Sequence, residues 1–536
     1  MRVLTVCALL LAACDPAALP DAGPPGVDSG PPPPPPRVET AIGPVEGNTG
    51  PGYREFLGIP YAAPPIGDLR WRPPQRPAPW TEVLVSSRPQ RCVQDALGFE
   101  LSSSEDCLYL NVHTPDPAPV GAPVMVWIHG GAFLFGEGVQ TDNGTSGDLL
   151  AQQGVVVVSM NYRLGPYGFL AHPALTAEQG GASGNYGLMD QRAALEWVRD
   201  NIAAFGGDPD NVTLFGQSAG GLSVCLHVIA PESRGLFHRG ITQSGLCDSA
   251  LEELAVSEMV GLELAASLAC EGADALGCLR GKTAEEIEAV DDAGSGIVSE
   301  LSRERGFWPG LDGAFLTQDF RDALIGGSLA EVPLIVGWTQ DEGTVFPVLA
   351  DTADEPIDEA VYRAVVASIA GRMGATADEV LTAYPLSDYE DPSAAVAAVI
   401  GQSTIACPSR RAARLLAEHS SEPLFVYRFD YQDAAFQLPT DRELGAFHAS
   451  DIQYVFGHPS RIGQREFRGA DLTLHENMAA YWARFARGSD PNGDGAAEWP
   501  RHDLASGENL VLDLSIGRAS GSDEAACALW DAARAR

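Results

Sequence analysis

Short runs of β-branched and other apolar residues recur along the chain, separated by longer stretches in which apolar residues repeat at helical spacing. Continuous apolar runs of this length are typical of strands that are buried on both faces. Segments 188–203 and 411–419 are examples of the helical pattern. Because strands that alternate with helices form a parallel sheet covered on both faces, the pattern predicts an α/β fold. The predicted strands are 124–128, 155–158, 212–215, 334–336 and 424–427.

The N-terminal residues do not follow this pattern. Residues 1–13 consist of Met1, Arg2 and an apolar run, which is shorter than the roughly 20 residues that span a bilayer. We interpret them as an export signal. Because Leu11-Ala12-Ala13-Cys14 resembles a bacterial lipobox, we expect cleavage before Cys14 and attachment of acyl chains to that cysteine. An ordinary secretory signal or a misplaced start codon is the alternative.

The next segment, residues 14–37, is almost free of large apolar residues and contains six consecutive prolines, 31–36. It cannot pack into a core and favours an extended polyproline conformation, so we interpret it as a tether. Residues 38–536 contain no second low-complexity segment, no repeat and no other apolar run long enough to cross a membrane. We therefore predict one domain over 38–536, either anchored by the lipid to the cell envelope or secreted.

The net charge and the cysteine content of the chain indicate which partners and which covalent cross-links to expect. With 34 Lys and Arg against 72 Asp and Glu, the net charge of −38 repels nucleic acid and anionic lipid headgroups. We expect no nucleic-acid partner, and membrane contact only through the N-terminal lipid. No cluster of His or Cys suggests a metal, and no cofactor is expected. Beyond the signal, an even number of cysteines favours disulfides over free buried thiols: Cys92, Cys107, Cys225, Cys247, Cys270, Cys278, Cys407 and Cys527.

The segment Gly216-Gln217-Ser218-Ala219-Gly220 directly follows the predicted strand 212–215. Its G-x-S-x-G pattern between a strand and a helix is typical of a nucleophile elbow, a strained turn that exposes the serine hydroxyl. The small residues on either side allow the strand and the helix to approach each other. Taken alone, the pattern is also consistent with a glycine-rich structural turn; as an elbow, it makes Ser218 the candidate nucleophile.

A second glycine-rich segment, His129-Gly130-Gly131, follows the predicted strand 124–128. Attack on an ester develops negative charge on the carbonyl oxygen, and backbone N–H groups that point at this oxygen contribute roughly 2.7–4 kcal/mol per donor. Gly130, Gly131 and Ala219 are the candidate donors of such an oxyanion hole. Without further context, two glycines after a strand are equally consistent with a turn.

Two longer motifs, 105–112 and 205–220, resemble the signatures of the type-B carboxylesterases, the family of cholinesterases and bacterial para-nitrobenzyl esterases. The resemblance covers essentially 38–530. It implies an α/β-hydrolase fold, a mostly parallel central sheet with helices on both faces, and hydrolysis of small carboxylic esters through an acyl-enzyme, without a cofactor. A lipase for longer acylglycerols and a non-catalytic adhesion protein are the alternatives. The sequence does not indicate the oligomeric state.

The resemblance also assigns the partners of Ser218. Gln340-Asp341-Glu342-Gly343 is similar to the acidic motif of the family, which implies Glu342 as the acid, with Asp341 as its nearby rival. The segment 445–451 is similar to the histidine motif and implies His448. The family's three disulfides match Cys92–Cys107, Cys270–Cys278 and Cys407–Cys527, with Cys225 and Cys247 as a further candidate pair. Its bracing salt bridges match Arg70–Glu105 and Arg163–Asp190.

The sequence departs from the family at two places that bear on substrate charge. The position before the serine is usually Glu, and here it is Gln217. The loop 93–106 contains no tryptophan, whereas cholinesterases carry one there that stacks on quaternary ammonium groups. We therefore expect neutral esters to be preferred over choline esters.

Overall fold

The computed structural model describes residues 34–94, 102–138, 144–291, 306–350, 356–435, 440, 442–459 and 465–536. Its largest element is a sheet of 11 strands in the order β18-β17-β16-β15-β12-β11-β9-β10-β8-β4-β3. The strands of the described residues are β1 Arg37–Glu39, β2 Pro44–Glu46, β3 Asn48–Gly50, β4 Tyr53–Pro60, β5 Leu84–Val85, β6 Arg91–Cys92, β7 Ser103–Ser104, β8 Tyr109–Pro115, β9 Ala122–Ile128, β10 Val156–Met160, β11 Gly207–Gln217, β12 Arg239–Gln243, β13 Glu252–Glu253, β14 Gly310–Leu311, β15 Leu334–Thr339, β16 Leu424–Phe429, β17 Glu508–Leu512 and β18 Gly517–Ser520.

The block from β17 to β10 is parallel, whereas β18 at one edge and β8, β4 and β3 at the other are antiparallel. All five predicted apolar runs lie in the parallel block. Strands β10 and β15 are buried along their whole length, which explains why both were readable as continuous apolar runs. The predicted mostly parallel sheet is therefore confirmed.

Helices cover both faces of the sheet. Val126 packs into one core with Leu195 and Leu222, whereas the next residue, Trp127, packs into a second core with Trp482. This alternation follows from the two-residue period of a strand. The helices are α1 Asp148–Ala151, α2 Gly165–Phe169, α3 Pro173–Glu178, α4 Tyr186–Asn201, α5 Ala219–Ile229, α6 Leu254–Ser267, α7 Ala275–Arg280, α8 Ala284–Asp291, α9 Phe320–Ile325, α10 Val345–Ala350, α11 Glu359–Met373, α12 Ala377–Ala383, α13 Pro392–Ile400, α14 Cys407–His419, α15 Ile452–Phe456, α16 Gly469–Gly488 and α17 Glu524–Arg534.

A third hydrophobic cluster lies among α10, α11, α13 and α17, and it includes Phe346, Phe447 and Trp530. Between α13 and α14 the chain continues as a π-helix, Gly401–Ala406. Residues Pro36–Arg536 form one compact unit. Within the described residues, no helix is long and apolar enough to cross a membrane. The predicted signal, Cys14 and most of the tether lie outside the described residues.

The described residues form four disulfides: Cys92–Cys107, Cys225–Cys247, Cys270–Cys278 and Cys407–Cys527. Three of these pairs are the ones that the family resemblance implies, and the fourth joins the two remaining candidates, Cys225 and Cys247. Both expected salt bridges are also present, Arg70–Glu105 at the surface of the core and Arg163–Asp190 inside it. Burial raises the pKa of the Asp190 carboxyl, and the Arg163 guanidinium 2.8 Å away opposes that shift.

Candidate active site

Ser218 lies at the turn between β11 and α5. Its φ of 56° and ψ of −122° are strained for a residue other than glycine. The Ser218 N–H donates to Gln243 O at 2.8 Å, which holds the turn against the end of β12. A Cβ on Gly216 would collide with the carbonyl of Gly220, and one on Gly220 would collide with that of Ile128. Ser218 is partly exposed although Gln217 and Ala219 are buried, so the turn presents the hydroxyl as an elbow does.

The glycines after β9 lie directly against this turn. A Cβ on Gly130 would lie 3.1 Å from Ser218 Cβ, and one on Gly131, whose φ is 106°, would overlap Phe135 O. The N–H groups of Gly130 and Gly131 donate no hydrogen bond to another residue that the structure describes. Both groups, together with the N–H of Ala219 at the start of α5, are therefore free to bind an oxyanion near Ser218.

His129 anchors this glycine segment, a role that sequence reasoning missed. Its ring stacks on Tyr162 with centroids 4.3 Å apart, and Tyr162 OH donates to His129 O at 2.9 Å. Burial lowers the pKa of His129 to about 4, so the ring is neutral at physiological pH. The stacked ring and the hydrogen bond to His129 O thus hold the glycine segment in position.

His448 and Glu342 are in contact although they are far apart in sequence. His448 Nδ1 lies 2.5 Å from Glu342 Oε2, and both side chains are buried. The other carboxylate oxygen, Oε1, accepts the Thr339 N–H at 2.7 Å and the Ser244 hydroxyl at 2.6 Å. These donors compensate the buried charge of Glu342 and fix its orientation. Nδ1 then carries the proton, which leaves Nε2 of the imidazole as a base.

Asp341, the rival acid, points elsewhere. Its Oδ2 accepts from Ala446 N at 2.9 Å and from Gln432 Nε2 at 3.0 Å, next to the loop that carries His448. Asp341 therefore braces this loop, and Glu342 is the one of the two acids that contacts the imidazole.

The hydrogen-bond partner of His448 Nε2 is Gln217, whose Nε2 lies 3.0 Å away. Ser218 Oγ makes no hydrogen bond to this nitrogen in the described structure. The amide of Gln217 donates to the imidazole lone pair and thus supports the tautomer in which Nδ1–H faces Glu342. Such contacts in enzymes without substrate often rearrange when the substrate binds. The structure thus brings together Glu342 and His448, and places Ser218 beside them without closing the last hydrogen bond.

Sequence reasoning also missed two polar residues that lie near Glu342 and His448, namely Ser244 and Asp451. Ser244, with a φ of 53°, follows the carboxyl end of β12 and holds Glu342. Asp451 accepts from Gln243 Nε2 at 2.8 Å and from Tyr427 OH at 2.7 Å, and burial raises the pKa of its carboxyl. Sites in open α/β sheets lie at the carboxyl ends of the parallel strands. Because Ser244 directly follows β12, this rule would have indicated it as a candidate site residue.

The parallel sheet, the strained serine at a strand–helix turn and the carboxylate-bound histidine define an α/β-hydrolase. The sequence model of the carboxylesterase family matches residues 34–530. Para-nitrobenzyl esterase of Bacillus subtilis (strain 168) is 35% identical over 89% of this chain and 95% of its own. Fumonisin B1 esterase of Sphingopyxis macrogoltabida is 37% identical, covering 90% and 87%. A solved PNB esterase, 31% identical, superposes with a TM-score of 0.80 over 92% of this chain and 99% of its own.

The chain therefore belongs to the carboxylesterase family and is a carboxylic ester hydrolase. The family and the α/β-hydrolase fold expected from the two sequence motifs are confirmed. The described residues contain no group of three or more His, Cys, Asp or Glu side chains arranged to hold a metal ion.

Proposed function

We propose that the protein is a serine esterase for neutral carboxylic esters, with Ser218 as nucleophile, His448 as general base and Glu342 as the residue that orients His448. The observation that carries this assignment is the 2.5 Å contact of His448 with Glu342 beside the strained Ser218. This contact supports a catalytic triad, because the serine needs the histidine to remove its proton and the histidine needs the carboxylate to orient its ring.

In the proposed reaction, His448 Nε2 exchanges its contact with Gln217 for the Ser218 hydroxyl and accepts its proton while Oγ attacks the ester carbonyl. The oxyanion accepts hydrogen bonds from Gly130, Gly131 and Ala219, each contributing roughly 2.7–4 kcal/mol. The imidazolium then gives its proton to the leaving alcohol, and an acyl-Ser218 ester remains. Water attacks this ester by the same route and releases the carboxylic acid and free Ser218.

The uncharged Gln217 beside the imidazole supports a preference for neutral esters. Curated relatives are named for chemically different esters, among them a cocaine esterase of Homo sapiens and an acylcarnitine hydrolase of Mus musculus. Family membership alone therefore does not fix the alcohol or the acyl group. Longer acylglycerols are the alternative substrates, and the dependence of kcat/KM on acyl-chain length distinguishes the two classes.

The nucleophile and the acid are tested by substitution. Ser218→Ala should abolish fluorophosphonate labelling and lower kcat on a p-nitrophenyl ester by about 10³-fold or more. Glu342→Gln should cost a comparable factor, whereas Asp341→Asn, its matched control in the neighbouring position, should cost much less. Thermal unfolding of each variant verifies the fold. Labelling of another serine, or a reversed ranking of the two acid variants, would refute the assignment.

The proposal extends to location: residues 1–13 direct export, and the lipid on Cys14 anchors the protein. The four disulfides support an oxidising compartment. Cells expressing the full chain should incorporate labelled palmitate into the protein, and Cys14→Ser should abolish incorporation. Cys7→Ser, the control in the same segment, should retain it. Absence of label in the unsubstituted protein would reject the anchor.

A further inference from the structure

The peptide that carries the Gly131 N–H is held in place by residues 134–137, here called the return segment. The N–H of Phe135 donates to Gly131 O at 3.0 Å, so the chain turns back directly after the glycines. A Cβ on Gly136 would collide with Gly130 O, which shows how closely the return segment packs on this peptide. Because Gly130 C=O and the Gly131 N–H lie in one peptide plane, the contact with Gly136 fixes the direction of that N–H.

An ion pair ties the return segment to the segment that a disulfide closes. The Nε and Nη2 atoms of Arg91 donate to the two carboxylate oxygens of Glu137, the second at 2.9 Å. Two parallel bonds between planar groups fix orientation as well as distance. Arg91 directly precedes Cys92, which is bonded to Cys107. The ion pair therefore couples the return segment to a cross-linked part of the chain.

Hydrogen bonds on both sides of Glu137 support the same connection. Gln94 Nε2 donates to Gly136 O at 2.9 Å, and Gln94 Oε1 accepts the Gly136 N–H at 2.8 Å. On the other side, the Gly138 N–H donates to Asn161 Oδ1 at 3.0 Å. The ion pair is thus the charged centre of a continuous set of contacts.

The ion pair is buried, and stability alone does not explain it. The Glu137 side chain is 2% exposed and that of Arg91 is 17% exposed. Removing two such charges from water offsets most of their attraction, and well-packed apolar residues often replace buried pairs without loss of stability. A guanidinium fork paired with a carboxylate instead provides one defined geometry. Geometry matters beside an active site, because misplacing a reacting group by about 1 Å can cost on the order of 10²-fold in rate.

We propose that Arg91 and Glu137 are positioning residues that hold the Gly131 N–H in the oxyanion hole. They act through the backbone: their ion pair keeps Gly136 against Gly130 O, and this contact aims the N–H of the same peptide plane at the oxygen that becomes negative. The inference rests on the proposed function, because it needs an oxyanion hole beside the nucleophile.

Glu137→Gln tests this role, because it keeps the size of the side chain and removes its charge. We expect kcat for a p-nitrophenyl ester to fall about tenfold with KM unchanged, since the negative oxygen develops in the transition state and not in the bound ester. Rates are counted per active site titrated with a fluorophosphonate, so unfolded protein does not enter kcat. Arg91→Lys, which keeps the positive charge but loses the fork, should lower kcat less, by about threefold.

Inhibition by a trifluoromethyl ketone gives a readout that a loss of stability would not change. Ser218 Oγ bonds to the ketone carbon, the carbonyl electron pair moves to the oxygen, and the serine proton passes to His448, so the adduct carries an oxyanion. The inhibition constant should rise in each variant by the factor by which kcat/KM falls. An unchanged inhibition constant where kcat falls, or unchanged kcat in both variants, would overturn the proposal.

Asp471→Asn is the matched control. Asp471 forms a two-bond pair with Arg465, and the two side chains are 0% and 18% exposed. Its other hydrogen bonds go to Tyr431, Tyr454 and the Arg468 N–H, so it does not hold the return segment. Asp471→Asn should lower the unfolding temperature and leave kcat per active site and the inhibition constant unchanged.

Two further outcomes separate the explanations. If Asp471→Asn lowered kcat and raised the inhibition constant by the same factor as Glu137→Gln, any broken buried pair would act on catalysis, and the assignment would be wrong. Failure of the fluorophosphonate to label Ser218 in the unsubstituted protein would instead count against the proposed function.

Discussion

The imidazole of His448 lies between a carboxylate and a neutral amide. Glu342 contacts Nδ1, Gln217 contacts Nε2, and the Phe346 ring lies 5.4 Å away. Asp451 is the next acidic group that acts on this region. Gln217, which stands where the family usually has Glu, therefore contacts the nitrogen that must accept the serine proton. A carboxylate at this position would attract the imidazolium, whereas the neutral amide of Gln217 does not.

Gln217→Glu should accordingly move the acid limb of the kcat/KM profile to higher pH. The sign follows because a second carboxylate stabilises the imidazolium, so a higher pH is needed to free the base. The measurement is kcat/KM for a neutral p-nitrophenyl ester across the acid range. Gln217→Met, which is similar in size and uncharged, should show no such upward movement. An unchanged limb in the Glu variant would show that Gln217 does not act on the base.

At the scale of single residues, sequence reasoning proposed the groups that stand in motifs. Ser218, Glu342 and His448 were proposed because strand, turn and motif coincide around each. Ser244 and His129 were missed as partners because serine and histidine are common, and their roles depend on contacts made across the fold. Ser244, for instance, holds an acid 98 residues later in the chain.

At the scale of elements, the parallel strands were predictable because burial on both faces leaves continuous apolar runs. The antiparallel edge strands, such as β3 with its exposed Asn48 and Thr49, carry no such signal. The π-helix was also not predicted, since it continues from α13 without a break in the helical pattern. The backbone at the start of the π-helix packs closely against the acid motif. A Cβ on Gly343, next to Glu342, would collide with Ala397 O in the last turn of α13 and would lie 2.9 Å from Gly401 N.

The disulfides should stabilise these elements in the order of the loops they close. Cys407–Cys527 spans 120 residues and Cys92–Cys107 spans 15. On the loop-entropy model, removing them costs about 5 and about 3 kcal/mol of the free energy of unfolding. Paired Cys→Ala variants should therefore unfold at lower denaturant, with the Cys407/Cys527 variant the less stable. A free thiol at either position in the unsubstituted protein, or the opposite order, would contradict this prediction.

At the scale of the whole molecule, the net charge of −38 attracts a cationic substrate, whereas the active site offers it no favourable contact that a neutral substrate lacks. Diffuse acidity attracts cations to the surface, but salt screens this attraction beyond about 8 Å at physiological ionic strength. Contacts within the site are not screened in this way. Gln217 supplies no negative charge there, and the loop 93–106, half of which lies outside the described residues, has no tryptophan for a cation–π contact.

Local contacts should decide substrate preference, because a cation–π contact contributes about 0.5–2 kcal/mol and about 1.4 kcal/mol is a factor of ten. We expect a 3,3-dimethylbutyl ester to be hydrolysed with kcat/KM at least equal to that of the matching choline ester at physiological salt. Raising the salt should lower only the choline value, since it removes the diffuse attraction and leaves the contacts unchanged. A choline preference that persists at high salt would contradict this and place a cation site on aromatic residues outside the loop 93–106.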